Sequence, residues 1–563
     1  MAIKRTGFRE AVGWLAEIVG PDASYIRLGL IYTIAISLLA LATPISVQFL
    51  INSVAFTAAP TSLWTLSGVL FFLLLVVATL SALRVYVMAL FERRIFARTV
   101  AEITVRAVHA QNPFFADSKH GDLFNRYFDL AIIQKSMPSL VIGAFTIVLQ
   151  SAVGLAITSF YHPFFLAFNV VLLLALFTVW LLWHRGAIAS AVALSHAKHD
   201  TGRWLESVGS SNGFYKSSRH LSFAMDRSEA ATSTYDAAYR RYFRYSFAQT
   251  LAFLLIYAVA SAALLAVGGN LILKGELSIG QLVAAELILS GVFYGVSQLG
   301  WYLDTFYDLI ASCEELSLLF AIPQEPLVAG GQGPRDGSVR FRDVRLEEAR
   351  FDFELRSGEQ LVTVAEPGIE HLIAMLLKRH VAPTRGIVSV GGADLGALDM
   401  YLLRSAVTVL DRPSIVEVTI RDYLSLAAPG ASADAMLDVL DLVGLGERMA
   451  TLPDGLDTAL ASSGWPLSIG EVMELKLANA LLSRPRVLIL SPLFDVMQVK
   501  RLRRSLDALR EAGTTVLVCT GRPEALALDG WLWLGRQDQR RFDSLTDFQA
   551  HLAEREARHA ASA

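Results

Sequence analysis

Six apolar runs constrain this chain more than anything else in it. They lie near Ile26–Val54, Leu66–Leu90, Pro138–Phe160, Pro163–Trp183, Gln249–Leu273 and Leu282–Leu303. The third spans 23 residues without a charged side chain, roughly 34 Å as a helix and enough to cross the hydrocarbon core of a bilayer. Two of the gaps between runs are long and basic: 91–137 carries Lys and Arg from Arg93 to Lys135, and 184–246 from Arg185 to Arg244. The opposite connections, 55–65, Tyr161-His162 and 274–281, are short and almost free of positive charge. The positive-inside rule then places the long gaps and both termini on the cytoplasmic side, with the gaps read as helical continuations of the spans.

Composition limits the alternatives. A chain of 563 residues that is 54% hydrophobic and 18% charged, with mean hydropathy +0.46, is too apolar to be wholly soluble and too polar to be all membrane. A net charge of −3 gives no argument for a nucleic-acid partner. Cys313 and Cys519 belong to no ligand-spaced cluster, so neither a disulfide framework nor a metal site is expected. Residues 1–25 mix Lys4, Arg5, Arg9, Glu10 and Asp22 into an amphipathic cytoplasmic segment rather than a cleavable signal. Two ionisable residues within the apolar runs, Arg84 and Glu286, need an explanation. Arg84 is expected to snorkel to the inner surface; Glu286 faces either a transmembrane cavity or the water at the outer surface.

Beyond a Pro/Gly-rich linker at 323–337 the text changes to short strands and turns. Val339-Arg340-Phe341 and Phe351-Asp352-Phe353 alternate as half-buried strands do, and Leu361-Val362-Thr363-Val364 suits a buried parallel strand. Domains are therefore expected at 26–322 (membrane) and 338–555 (soluble α/β), with a tail at 556–563.

Several phrases resemble ABC transporters of the type I exporter branch, and the resemblance covers nearly the whole chain. Leu467-Ser468-Ile469-Gly470-Glu471 resembles the signature loop, and Val487-Leu488-Ile489-Leu490 the buried strand after its helix. Pro383-Thr384-Arg385-Gly386, Leu452-Pro453-Asp454-Gly455-Leu456-Asp457-Thr458 and the turn Gly275 to Val283 match further family phrases. Phe114-Phe115 with Gly121-Asp122, and Phe214-Tyr215 after Glu206, look like the two coupling segments. The implied fold is an all-α six-helix membrane domain with long cytoplasmic helical extensions, followed by an α/β nucleotide-binding-like domain.

The same resemblance implies that the nucleotide chemistry is lost. A phosphate loop needs glycine N–H groups, a Lys and a Ser/Thr, whereas this chain has Ala365-Glu366-Pro367-Gly368-Ile369-Glu370-His371-Leu372. The lysine position falls on His371 or Glu370. The adenine-stacking aromatic falls near Glu348, and the magnesium-sensing glutamine on Asp411. Ser491 and Pro492 stand at the magnesium-linked aspartate and the general-base glutamate, and Gly521 at the switch histidine. Ser468 and Gly470 survive in the loop that, in the family, caps the γ-phosphate held by the opposite domain. Ser468 with Glu471 also reads as a capping box that merely starts a helix.

The resemblance thus implies a subunit without a nucleotide cofactor or metal of its own. It would contact Mg-ATP at the site of an ATP-competent half-transporter partner. The alternative is a membrane scaffold or regulator without ATP turnover. An integral position in a bacterial inner membrane, lipid contacts and a periplasmic membrane-fusion adaptor are further implications; the substrate is not legible.

Overall fold

The computed structural model describes residues 8–40, 42–56, 60–111, 121–277, 279–326 and 331–562. The chain divides into two compact units, Met1–Gln324 and Glu325–Ala563.

The first unit is helical among its described residues. An amphipathic α1 (Phe8–Val19) precedes α2 (Ala23–Leu39), α3 (Ala42–Phe56) and the 49-residue α4 (Pro60–Val108). A turn of 3-10 helix at Gly121–Asp129 leads into α5 (Leu130–Ser139), and α6 (Phe145–Ser159) follows. Pro138 cannot donate a backbone hydrogen bond, and the helix passes it through a wide π turn at Leu140–Ala144. The very long α7 (Pro163–Ser210), α8 (Ser218–Leu273) and α9 (Ile279–Phe320) complete the unit. Six segments are long and apolar enough to span a membrane, and each of the six apolar runs falls on one of them. Among the described residues the basic gaps are largely helical: α4, α7 and α8 run far beyond the apolar stretches.

Several buried polar groups inside this unit are paired across helices. Asp22, fully buried, receives Arg94 Nε at 3.0 Å and Arg98 Nε at 2.8 Å, tying the α1–α2 elbow to α4. Asn169 donates to Leu155 O, Thr158 Oγ1 and Ser159 Oγ. Arg84 departs from the snorkelling expectation. It is only 7% exposed, and its Nη1 donates to Thr33 Oγ1 (3.2 Å) and Thr146 Oγ1 (2.7 Å). Hydroxyls on α2 and α6 solvate the guanidinium internally, as the cost of an intramembrane charge requires.

In the second unit, β1 (Val339–Leu346), β2 (Ala349–Leu355), β4 (Arg385–Val390) and β5 (Ala393–Asp394) form an antiparallel sheet in the order β2-β1-β4-β5. A six-stranded sheet has the order β10-β9-β3-β8-β7-β6. It comprises β3 (Gln360–Ala365), β6 (Val407–Leu410), β7 (Val487–Leu490), β8 (Thr515–Cys519), β9 (Trp531–Leu534) and β10 (Gln539–Phe542), with only the β9–β10 pair antiparallel.

Period-two alternation divides the parallel strands between two cores. Val362, Leu488, Leu490, Val516 and Val518 enter one; Leu361, Val487, Ile489, Leu517 and Cys519 enter the other. Buried on both faces, these strands read as continuous apolar runs. Helices α10 (Ile369–Leu377) and α11 (Met400–Ala406) contribute to the second core. The first takes its apolar side chains from α12 (Ile420–Ala427), α13 (Ala433–Val443), α14 (Gly446–Thr451), α15 (Ile469–Ser483), α16 (Val499–Glu511) and α17 (Leu545–Ser562). The expected tail at 556–563 continues α17 as far as Ser562.

Candidate functional site

The connection between β3 and α10 is the element on which nucleotide chemistry would rest, and it is three residues long. Glu366 leaves the strand with its N–H on Leu534 O (3.0 Å), Pro367 lacks an N–H, and Gly368 caps α10 at φ +86° without a side-chain cap. Ile369, fully buried, is already helical. The pattern G-x-x-x-x-G-K-S/T supplies glycines and a lysine; here Ala365–His371 holds the single glycine Gly368, and no Lys occurs between Ala365 and Lys378.

The Glu366 carboxylate does not point into free space. It accepts from the Arg536 N–H (2.9 Å) and from Arg555 Nη2 (2.9 Å), while Arg555 also pairs with Asp538 (2.6 Å) and lies over the Trp533 ring. Glu366 thus ties the strand exit to the end of β9, the β9–β10 turn and α17.

Four lost-motif positions from the first turn of α10 and the carboxyl ends of β6 and β7 come together, with Glu370 the fifth. Glu370, His371, Asp411, Ser491 and Pro492 line one cleft of about 390 Å³, where ligands of parallel α/β sheets commonly bind. His371 Nδ1 lies 3.7 Å from Asp411 Oδ2. Ser491 donates its N–H to Leu410 O (3.1 Å); its buried Oγ has no hydrogen-bond partner among the described residues. Glu348, 86% exposed, lies at the β1–β2 turn near Arg536 and does not line this cleft. Gly521 does not line it either.

Sequence reasoning passed over three groups here. Asp495 accepts from Thr520 Oγ1 (2.5 Å), from the Gly521 N–H (2.9 Å) and, through its carbonyl, from Arg522, and so locks the loop after β7 to the loop after β8. Burial pushes the Lys476 ammonium below its ordinary pKa, against the opposing pull of Asp411, while its Nζ donates to Arg412 O (2.6 Å). Lys378 is lowered by burial in the same way. The Cys519 thiol beneath the cleft is pushed up to about 12 by burial and by the charges of Glu370 and Asp495, and is inert.

The start of α15 is built differently. Ser468 Oγ accepts from the Glu471 N–H (3.4 Å) and Glu471 Oε2 from the Ser468 N–H (2.7 Å), a complete capping box. Ser468 and Gly470 open onto a second cleft of about 180 Å³, bordered by Leu493 and Val496. A Cβ on Gly470 would meet only Val496 Cγ1 at 3.9 Å, so internal packing does not require glycine there. Ile469 is 63% exposed.

The remaining candidates lie in the membrane unit. Gly121 and Asp122 begin the 3-10 turn, and Phe114-Phe115 lie outside the described residues. Asn125 of that turn donates to Glu206 near the end of α7 (2.6 Å), bringing the neighbourhoods of the two coupling segments together. Phe214 and Tyr215 form the one-turn link between α7 and α8, Phe214 stacking on His220 at 4.2 Å. Glu286 is exposed and accepts from Ser290 Oγ (3.1 Å).

The two units together define an integral membrane protein with the fold of an ABC exporter half-subunit. A solved bacterial Atm1-family ABC exporter with ATP bound superposes with a TM-score of 0.76, over 97% of this chain and 98% of that one, at 18% identity. The leukotoxin translocation ATP-binding protein LktB of Mannheimia glucosida is 24% identical over 482 residues, covering 82% of this chain and 66% of that protein. The leukotoxin export ATP-binding protein LtxB of Aggregatibacter actinomycetemcomitans is 24% identical over 480 residues. This chain is homologous to those ABC exporters and spans about two thirds of their length. No protein-family profile matches it.

Proposed function

We propose that the chain is the ATP-silent half of a heterodimeric ABC exporter. It supplies six spans and coupling segments while a partner half-transporter supplies phosphate loop, magnesium and base. The observation that carries this reading is the three-residue β3–α10 connection, with Glu366 tied to Arg555 and Glu370 in the first helical turn. A phosphate approaching α10 would meet a carboxylate instead of a Lys, and no glycine cradle. Ser491 and Pro492 cannot replace a magnesium-linked carboxylate and a general base, so the residues present do not fit Mg-ATP.

In this reading Ser468 and Gly470 face the partner's γ-phosphate from the start of α15. Both termini lie in the cytoplasm of a bacterium and the spans in its inner membrane. The names of the relatives favour outward transport, and a periplasmic membrane-fusion adaptor fits that role. Exposed Ile469 favours a second reading, a scaffold that never closes over a partner's nucleotide. Mild-detergent purification from the native membrane tests both: the first reading expects an ABC half-transporter with an intact phosphate loop in stoichiometric amount. Its absence would leave the scaffold.

A further inference from the structure

Outside the nucleotide-type cleft, the described residues hold one His/carboxylate group close enough to share an ion, and it lies in the membrane unit. His196 on α7 and Glu314 and Glu315 on α9 offer three ligand atoms all within 4.8 Å of one another. His196 Nε2 is 2.9 Å from Glu314 Oε2 and 3.8 Å from Glu315 Oε1. Two ligands bound at metal–donor distances near 2.1 Å sit roughly 3.0–3.5 Å apart; the two separations from His196 bracket that range, and the carboxylate oxygens, within 4.8 Å of one another, close by about an ångström at most.

We propose that His196, Glu314 and Glu315 bind a divalent cation of the zinc type, which staples α7 to α9 beyond their apolar spans.

Glu315 carries the argument. It is fully buried, and Arg126 takes one side of its carboxylate. Its Oε1 has no hydrogen-bond partner among the described residues and lies 3.8 Å from the imidazole Nε2 of His196. A ligating carboxylate steadied by a neighbouring donor is the usual support around a metal. Charge points the same way. Asp129 lies against Lys198 (2.7 Å) and His199 (2.5 Å), and Asp308 lies close enough to feel both Asp129 and Lys198. With neutral imidazoles, the carboxylates of Asp129, Asp304, Asp308, Glu314 and Glu315 outnumber the cations of Arg126 and Lys198, so the neighbourhood favours a bound cation. One imidazole and two carboxylates form a nitrogen and oxygen set suited to Zn²⁺ and tolerant of Mn²⁺. His196, with 45% of its side chain exposed, gives the ion a path from solvent. The site is independent of whether the chain's own nucleotide cleft is silent.

The test uses the untagged full-length chain in detergent, stripped with a chelator and titrated with Zn²⁺ by calorimetry, with metal content read by mass spectrometry. Mn²⁺ serves as the paramagnetic probe. One Zn²⁺ per chain is expected, and Mn²⁺ should show coupling to one imidazole nitrogen. His196→Gln should abolish that coupling, and Glu314→Gln should retain it. Each substitution should weaken Zn²⁺ binding by at least about tenfold. Both positions are less enclosed than Glu315, whose substitution would strand Arg126. Absence of saturable Zn²⁺ binding, or equal binding by wild type and both variants, would overturn the proposal and leave His196 as an ion-pair partner of the two carboxylates.

Discussion

Two helix starts in the soluble unit, α10 and α15, face similar chemistry and were built to opposite specifications. Each exposes N–H groups and the positive end of a helix dipole, the usual materials of an anion site. At α10 the first turn lines a cleft but brings the Glu370 carboxylate to it, with Ile369 buried and Glu366 tied to Arg555. At α15 a complete capping box takes up the Ser468 and Glu471 N–H groups, while exposed Ser468 and Gly470 open onto a second cleft. Under the proposed function, this contrast is a site acting in cis dismantled while one acting in trans, on another chain's ligand, is spared.

The strongest way to break this contrast is Ser468→Arg in the proposed heterodimer, where the bulky side chain would block approach to the partner's phosphate. ATPase should fall by on the order of 10²–10³, the scale of losing an aimed catalytic donor, with assembly intact by gel filtration. His371→Ala, at the start of α10, should leave hydrolysis unchanged. An ATPase indifferent to both would remove the distinction.

Arg555→Ala sharpens the other side. It strips a charged partner from both Glu366 and Asp538 and should destabilise the soluble unit by about 1.5–3 kcal/mol without creating nucleotide affinity; denaturant midpoints and ATP titration read the two effects. Ser468→Ala removes the cap and should cost about 1 kcal/mol, a local loss visible by hydrogen exchange at the first turn of α15.

The smallest effect is acid sensitivity, and it belongs to neither helix start. Burial, then Arg404 and Lys378, hold the His380 imidazole below its ordinary range. As pH falls through about 6.5 the unfolded His takes a proton before the folded one does, so stability declines. Burial pushes Glu325 up, but its bidentate Arg404 pair (2.8 and 2.9 Å) outweighs that and holds it low. Its contribution is present above the unfolded carboxylate range and lost as pH falls through the depressed value. Exchange around 325, 380 and 404 should therefore quicken between neutral and acid pH while the start of α15 does not.

Much of this architecture was legible. Span lengths and loop charge predict the six membrane segments, and continuous apolar runs predict the parallel strands, because burial on two faces leaves no polar alternation. The clustering of His371, Asp411, Ser491 and Pro492 followed from family phrases. What stayed hidden was partnership at long range. Arg84 finds hydroxyls on α2 and α6, 51 and 62 residues away. Glu366 finds Arg555 189 residues on, and His196 finds Glu314 after 118. No periodicity encodes such pairs. The acidic Glu366 was visible as a misfit in a phosphate loop, but only the fold reveals what it holds instead.

The most direct measurement is Mg-ATP binding to the full chain purified without any partner, by calorimetry in detergent. The account predicts no binding tighter than about millimolar, and no hydrolysis after Pro492→Glu, since nothing would bring magnesium or phosphate to the new carboxylate. Saturable sub-millimolar Mg-ATP binding, displaced by ADP and sensitive to His371 or Glu370, would contradict it.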